Sequence, residues 1–288
     1  MRYLGTWNPA DITADRALMA RTALLAAYEA GYTLFDHADI YCRGECETHH
    51  GLLLKDSPEL RRQTIIATKC GIRPQTEDAP GRYDFSKGWI VKSCEESLKR
   101  LGVDQIDLYQ LHRPDVLMNP EEVADAFDVL HERGMVRWFG VSNFLPFHVS
   151  LLKRFLPFPI VVNQVEVSLT RLDCFSDGTL DQCLAEGITP LSWSPLGGGV
   201  LGTGGKPREG KPLDWPIQGA LDKVAVERGV SRTVVALAWL LKHPAKIVPI
   251  VGSANPAHIR DAVAADSLDL TREEWYALYI AGRGERMP

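Results

Sequence analysis

Short apolar runs recur along the chain with helix-like segments between them, and this alternation limits the fold more than any other feature. Runs near 4–7, 33–38, 64–69, 106–112, 136–141, 159–165, 188–194 and 247–251 read as buried strands. Helical spacing covers 14–30, with Gly31 at the C-cap, then 45–55, 87–101, 120–133, 146–156 and 177–186. Two helices follow at 217–228 and 231–242, another opens after Gly252-Ser253-Ala254-Asn255-Pro256, and Thr271 with Glu274 opens the last as a capping box. Ser86 is placed to cap the helix from Lys87, and Pro120 to start the next. Eight βα units of this length predict an α/β protein, a (β/α)8 TIM barrel, as a single domain over 1–288. The alternative is an open doubly wound sheet, which calls for a glycine fingerprint directly after its first strand. Gly197-Gly198-Gly199 comes too late for that and does not open a helix at once.

A hydrophobic content of 45% with 24% charged residues suits a globular chain with a large core. The net charge of −5 argues against a nucleic-acid partner, which needs a basic face. Cys42, Cys46, Cys70, Cys94, Cys174 and Cys183 are scattered and form no CxxC pair, so a reducing compartment is expected rather than a disulfide framework. The first residues, Met1 to Pro9, carry no long apolar core or small-residue cleavage site, and no stretch approaches the ~20 apolar residues of a membrane span. The expectation is a soluble cytoplasmic protein, monomer or dimer, without membrane or nucleic-acid partners.

Chemistry concentrates at three strand ends. The run 32–35 stops at Asp36, and Tyr41 follows on the next loop. Lys69 ends Ile65-Ile66-Ala67-Thr68, and His112 ends Ile106 to Leu111. In a parallel barrel the C-terminal strand ends form the active face, and strands two, three and four are neighbours there. Reducing a carbonyl needs a hydride on carbon and a proton on oxygen. A tyrosine, with pKa ~10, is a weak acid alone, but a lysine ammonium beside it stabilises the phenolate. An aspartate holds that lysine charged, and a histidine can orient the carbonyl oxygen. The substrate this suits is a small aldehyde, ketone or sugar carbonyl, or the corresponding alcohol.

Asp36-x4-Tyr41, the strand ending in Lys69, and Leu111-His112-Arg113-Pro114-Asp115 resemble the tetrad motifs of the aldo-keto reductase superfamily. So do Gly140-Val141-Ser142-Asn143-Phe144, Asn163-Gln164 and Trp193-Ser194-Pro195-Leu196-Gly197, in family order from Gly5 to Asn255. Within it the chain is most similar to bacterial oxidoreductases with His-Ala-Asp-Ile-Tyr and His-Arg-Pro-Asp signatures. The resemblance implies Tyr41 as proton donor, supported by Lys69, Asp36 and His112, and NADPH/NADP+ as cofactor. It implies that Ser142, Asn143 and Gln164 hold the nicotinamide amide, and that Trp193, with Ser194 beside it, stacks on the ring. Leu196 and the glycines after it, Gly198 among them, would wrap the pyrophosphate. Gly252, Ser253 and Asn255 would meet the adenosine phosphate at a helix N-terminus. Gly5, Thr6 and Trp7 would line the cofactor or substrate pocket.

The loop after the last strand has no lysine or arginine, the nearest bases being His258 and Arg260. This predicts NADPH with a weaker than usual preference over NADH, Arg260 reaching back toward the cofactor. Arg73, Arg82, Tyr83, Phe85 and Trp215 lie on the long loops 71–85 and 195–216, where barrels set specificity. Aromatic residues there suit a sugar or aromatic aldehyde, and arginines a carboxylate or phosphate. Three other readings remain open at this point. Cys42, Cys46, His49 and His50 are metal-ligand types, although their spacing fits no common zinc motif and no metal site is expected. A metal-dependent barrel hydrolase would need more histidines at strand ends. A nucleotide-binding sensor or scaffold barrel could keep the same tetrad.

Overall fold

The computed structural model describes residue 4 and residues 6–288. By its internal contacts the chain forms two compact units, Met1–Asn163 with Gly252–Pro256, and Gln164–Val251 with Ala257–Pro288.

The first unit runs through α1 (Ala14–Glu29), β1 (Leu34–Asp36), α2 (Glu45–Asp56), β2 (Ile65–Cys70), a short hairpin of β3 (Ile72–Arg73) and β4 (Arg82–Tyr83), and α3 (Lys87–Leu101). It continues with β5 (Ile106–Leu111), α4 (Pro120–Glu132), β6 (Val136–Ser142), α5 (Pro146–Lys153) and the start of β7 (Ile160–Glu166). β1, β2, β5 and β6 lie side by side in that order, all parallel. The register matters for the site. Asp36 pairs with Ala67, Lys69 with Gln110, and Gln110 with Gly140. All six residues of β5 are buried, as expected of a parallel strand covered on both faces.

Several expectations need correction here. The strand expected near 4–7 is absent among the described residues. Leu4 sits in a turn, and Gly5 lies outside the described residues. The Thr6 hydroxyl donates to Asp11 Oδ2 (3.1 Å) and accepts from the Asn8 amide (3.1 Å). Such local bonds compete with a ladder, and the segment leads instead into a turn of 3-10 helix, Pro9–Asp11. The strand expected over 247–251 is cut to Val248–Pro249, where the proline has no N–H to give a ladder. The loop 71–85 holds the antiparallel hairpin, pairing Ile72 with Tyr83. Ser86 stands at the N-cap of α3 without capping it. Its hydroxyl donates to Asp84 Oδ1 (2.6 Å), and the Lys87 amide is met by Glu122 Oε2 (3.1 Å) instead.

The second unit takes the end of β7, α6 (Thr179–Glu186), β8 (Thr189–Trp193), α7 (Asp214–Arg228), α8 (Arg232–Leu241), β9 (Val248–Pro249), most of α9 (Pro256–Ala262), and α10 (Arg272–Arg283). β7, β8 and β9 are neighbours in that order. α7 begins ahead of the expected 217, because Pro216 sits in its first turn, where a missing N–H costs nothing. The capping box of Thr271 and Glu274 is present. In the core of this unit Trp239 and Trp275 stack with centroids 5.1 Å apart. Each indole N–H donates to the other residue's carbonyl, at 3.1 and 2.9 Å, so both buried donors are satisfied.

Candidate active site

Asp36 ends β1, Lys69 lies near the end of β2, and His112 follows β5, so three adjacent parallel strands deliver them to one end of the sheet. Lys69 is fully buried. Its Nζ donates to both oxygens of Asp36 at 2.7 Å and to the carbonyl of His37 at 2.7 Å. The Tyr41 phenol is a further hydrogen-bond partner of this ammonium, and the ring centroid lies 5.2 Å from Nζ. Burial opposes the charge on Lys69 most, but Asp36 and then Tyr41 outweigh it and raise its pKa above the ordinary lysine value. The ammonium therefore stays charged.

Tyr41 is half-buried and opens a left-handed turn through Cys42 (φ 49°) and Arg43 (φ 53°) into α2. The His112 ring meets it edge-on at 5.8 Å, and Trp7 does so at 6.2 Å. Burial, with help from Lys69, pushes His112 down to about 3. The imidazole is thus neutral, suited to hydrogen-bonding a carbonyl rather than protonating it. Its Nδ1 has no hydrogen-bond partner among the described residues.

The loop between Asp36 and Tyr41 is tied down along β2, by His37 N–H to Ala67 O (2.8 Å) and Asp39 N–H to Lys69 O (3.0 Å). Below it, Glu47 is buried and accepts from Thr68 Oγ1 (2.5 Å) and Arg100 Nε (2.7 Å). Burial, with Glu47 nearby, raises Asp39 to about 8. His37, also buried, bonds His50, which in turn bonds Tyr28. Sequence reasoning missed Glu47, Tyr28 and Gln110. Gln110 is fully buried on β5 with Nε2 3.5 Å from Asp36 Oδ1, and a glutamine on that strand two residues before His112 was the signal for it.

The other expected residues fall as follows. Ser142 ends β6, and Asn143 adopts φ 61°, which asparagine tolerates better than most. Asn143 Nδ2 donates to the His112 carbonyl (3.2 Å) and to Ser142 Oγ (2.8 Å). Thr6 is tied to Asn8 and Asp11, and Trp7 is exposed. Gly252, Ser253 and Asn255 lie in irregular chain before α9, where Ser253 Oγ already accepts the Asn255 amide at 3.1 Å. Gln164, Trp193, Ser194, Leu196, Gly198 and Arg260 belong to the second unit. Ser194 (φ 51°) and Gly197, Gly198 and Gly199 all have positive φ, and a Cβ on Gly197 would meet Thr170 Oγ1 at 2.6 Å.

Among the loop residues expected to set specificity, two are committed elsewhere. Phe85 is buried, packed over Gly71, and Arg73 pairs with Asp84 at 2.7 Å while lying 4.1 Å over the Trp89 ring. Tyr83 and Trp215 remain exposed. His50, one of the residues of metal-ligand type, spends both ring nitrogens on His37 and Tyr28. Among the described residues no three His, Cys, Asp or Glu are gathered as a cation needs, and all six cysteines are free.

The family model for aldo/keto reductases matches residues 3–281. The 6-dehydroglucose reductase of Novosphingobium aromaticivorans is 43% identical, over 99% of this chain and 92% of its own. The oxidoreductase YdhF of Escherichia coli is 41% identical, over 90% of this chain and 86% of its own. Among solved structures, an aldo/keto reductase from Klebsiella pneumoniae in complex with NADP and acetate aligns with a TM-score of 0.77. It is 25% identical and covers 92% of this chain and 86% of that chain. These likenesses give the chain the α/β barrel fold expected from its sequence, with seven of the eight expected strands present among the described residues. Among the described residues no helix is long and apolar enough to cross a membrane.

Proposed function

The chain belongs to the aldo/keto reductase family and is an NAD(P)-dependent oxidoreductase, and from that premise we propose that it reduces a small aldehyde, ketone or sugar carbonyl with NADPH. Tyr41 gives the carbonyl oxygen its proton. Lys69 loosens the phenolic proton, Asp36 holds Lys69, and neutral His112 orients the oxygen. The observation that carries this reading is the buried Lys69 ammonium, held at 2.7 Å by Asp36 and hydrogen-bonded to a half-buried phenol that faces the His112 ring. The same groups run the reverse reaction, with the phenolate as base.

The cofactor is NADP(H), as in the Klebsiella structure, and NADH serves as a poorer substitute. The residues present fit a nicotinamide. Ser142, Asn143 and Gln164 offer amide and hydroxyl groups at or near strand ends, Trp193 an aromatic face with Ser194 beside it, and Leu196 and Gly198 a glycine-rich turn. Gly252, Ser253, Asn255 and Arg260 take the adenosine end, and Gly5, Thr6 and Trp7 line the pocket. Bound there, the cofactor supplies the hydride. Everything else falls to this chain's own groups, which bind, orient and move one proton at the Tyr41 oxygen. A sugar-derived aldehyde is the first substrate to try, given the activity for which the Novosphingobium relative is named. The working unit is one catalytic domain over 1–288, a monomer or dimer in the cytoplasm, without nucleic acid.

A panel of sugar, aliphatic and aromatic aldehydes, run with NADPH and NADH and followed by loss of reduced-cofactor absorbance, tests the proposal. Tyr41→Phe is the control, expected to lose at least a hundredfold in kcat, within the span general acid catalysis contributes (~10²–10⁴). Full turnover in that variant removes Tyr41 from the acid role. No turnover on any member of the panel favours a sensor or scaffold.

A further inference from the structure

Behind the Asp36–Lys69 pair runs a row of polar side chains that the acid–base reading leaves unused. Thr64 Oγ1 has one proton, aimed at the carbonyls of Leu60 (3.1 Å) and Arg61 (3.2 Å). Thr64 is also a side-chain partner of the Tyr28 phenol. The phenol oxygen lies 2.8 Å from His50 Nε2. His50 Nδ1 lies 2.8 Å from His37 Nε2, one nitrogen donating and the other accepting. Both rings are neutral, since burial pushes His50 down to about 3 and His37 well below its ordinary value. The row thus runs unbroken from Thr64 through Tyr28 and His50 to His37. At the inner end the carbonyl of His37 accepts from Lys69 Nζ at 2.7 Å.

We propose that the chain Thr64–Tyr28–His50–His37 is a positioning device for Lys69, fixing the His37 peptide so that its carbonyl holds the ammonium beside the Tyr41 phenol. The packing agrees. His37 and His50 are fully buried, the Tyr28 ring stacks on Phe35 at 4.4 Å, and Phe35 directly precedes Asp36. Apolar side chains would fill this space without the cost of desolvating two imidazoles and a phenol. What they would lack is direction, since a hydrogen-bonded ring sets the orientation of its own backbone. Asp36 pulls Nζ from one side, and the fixed carbonyl stops it receding from the phenol. Without that stop the ammonium settles onto Asp36, the phenolate loses support, and Tyr41 becomes a weaker acid. Tyr28, His50 and His37 are positioning residues in this scheme, for none of them touches the reacting atoms.

This inference rests on Tyr41 acting as the acid, so the test includes that residue. Kinetics on one aldehyde with NADPH are followed from pH 6 to 9 for His50→Leu, His50→Asn, Tyr28→Phe and Tyr41→Phe, with cofactor affinity and Tm measured alongside. In His50→Leu the pH limb of kcat moves up by about one unit and kcat falls about tenfold, while KM and cofactor affinity stay within about twofold. His50→Asn restores the limb, because its side-chain amide can bond His37 Nε2 in place of the His50 Nδ1. Tyr28→Phe, which keeps the stack on Phe35, shifts the limb the same way by less. An unmoved limb in His50→Leu, or an asparagine variant no better than the leucine one, overturns the proposal. If His50→Leu does not fold, an unmoved limb in Tyr28→Phe overturns it equally. Retained turnover in Tyr41→Phe sinks the acid–base reading and this inference together. Lost turnover there with an unmoved His50→Leu limb sinks only the inference.

Discussion

The side-chain amide of Asn143 donates to the backbone carbonyl of His112 at 3.2 Å. A residue proposed to hold the nicotinamide therefore also braces the residue proposed to orient the carbonyl. Asn143 does this from a left-handed backbone, φ 61°, that alanine disfavours by ~1–2 kcal/mol. Asn143→Ala is expected to lower Tm, weaken NADPH binding and reduce kcat together. Asn143→Gly relieves the backbone strain and loses only the side-chain bonds. It should keep Tm within a few degrees of wild type and still bind cofactor less tightly, as cofactor fluorescence titration would record.

Lys69 and Asp36 form a fully desolvated pair. Removing one member leaves an uncompensated buried charge, which costs roughly 3–5 kcal/mol. Lys69→Met should fall by about that much in urea unfolding, and Asp36→Asn with Lys69→Met should recover most of it. Neither variant should regain turnover, because the stability and the acidity of Tyr41 draw on the pair in different ways.

Acid stability is expected to follow the buried histidines. His50 and His112 are lowered from 6.5 to about 3 by burial, and burial also lowers His37 well below its ordinary value. Above pH 6.5 both folded and unfolded forms are neutral. Below it the unfolded chain takes up protons that the folded one refuses, so stability is lost as the pH falls from 6.5 toward 3. Each group adds a slope of up to about 1.4 kcal/mol per pH unit. The urea midpoint should drop between pH 7 and pH 5, and His50→Gln should flatten that drop.

Asp39 predicts the opposite slope in another window. Its carboxyl is raised from 3.8 to about 8, first by burial and then by Glu47. The unfolded chain releases this proton above about 4 while the folded one keeps it, so its contribution is present below pH 4 and is lost as pH rises through 8. Asp39→Asn should raise the urea midpoint at pH 8 and leave it almost unchanged at pH 4. An equal gain at both pH values would show that packing, not ionisation, was responsible.

Gly44 stands at φ 92° between the Tyr41 turn and α2, and a Cβ there would meet Arg100 Cδ at 2.6 Å. Gly44→Ala must displace the arginine that holds buried Glu47 at 2.7 Å. A loss of about 2–4 kcal/mol in denaturant unfolding is expected, from strain plus a broken buried pair. Gly31, also at positive φ but with nothing within 4 Å of its Cβ, is the comparison and should lose only the strain part.

Much of the fold and part of the site could be read along the chain. Asp36, Lys69 and His112 each close an apolar run, and parallel strands bury such runs and deliver whatever ends them to one edge. The helices from Thr13, Asn119 and Thr271 likewise carry their own caps. These are local facts, set by periodicity over a few residues. The segment at 4–7 reads as a strand on composition alone, and only the bonds from Thr6 to Asn8 and Asp11 turn it aside. The row from Thr64 to His37, the seat of Arg100 over Gly44, and the charge states of His112 and Asp39 were decided by the tertiary structure. Hydrogen-bond partners 13, 22 and 53 positions apart meet only once helices pack on strands, and a pKa moves only when water has gone.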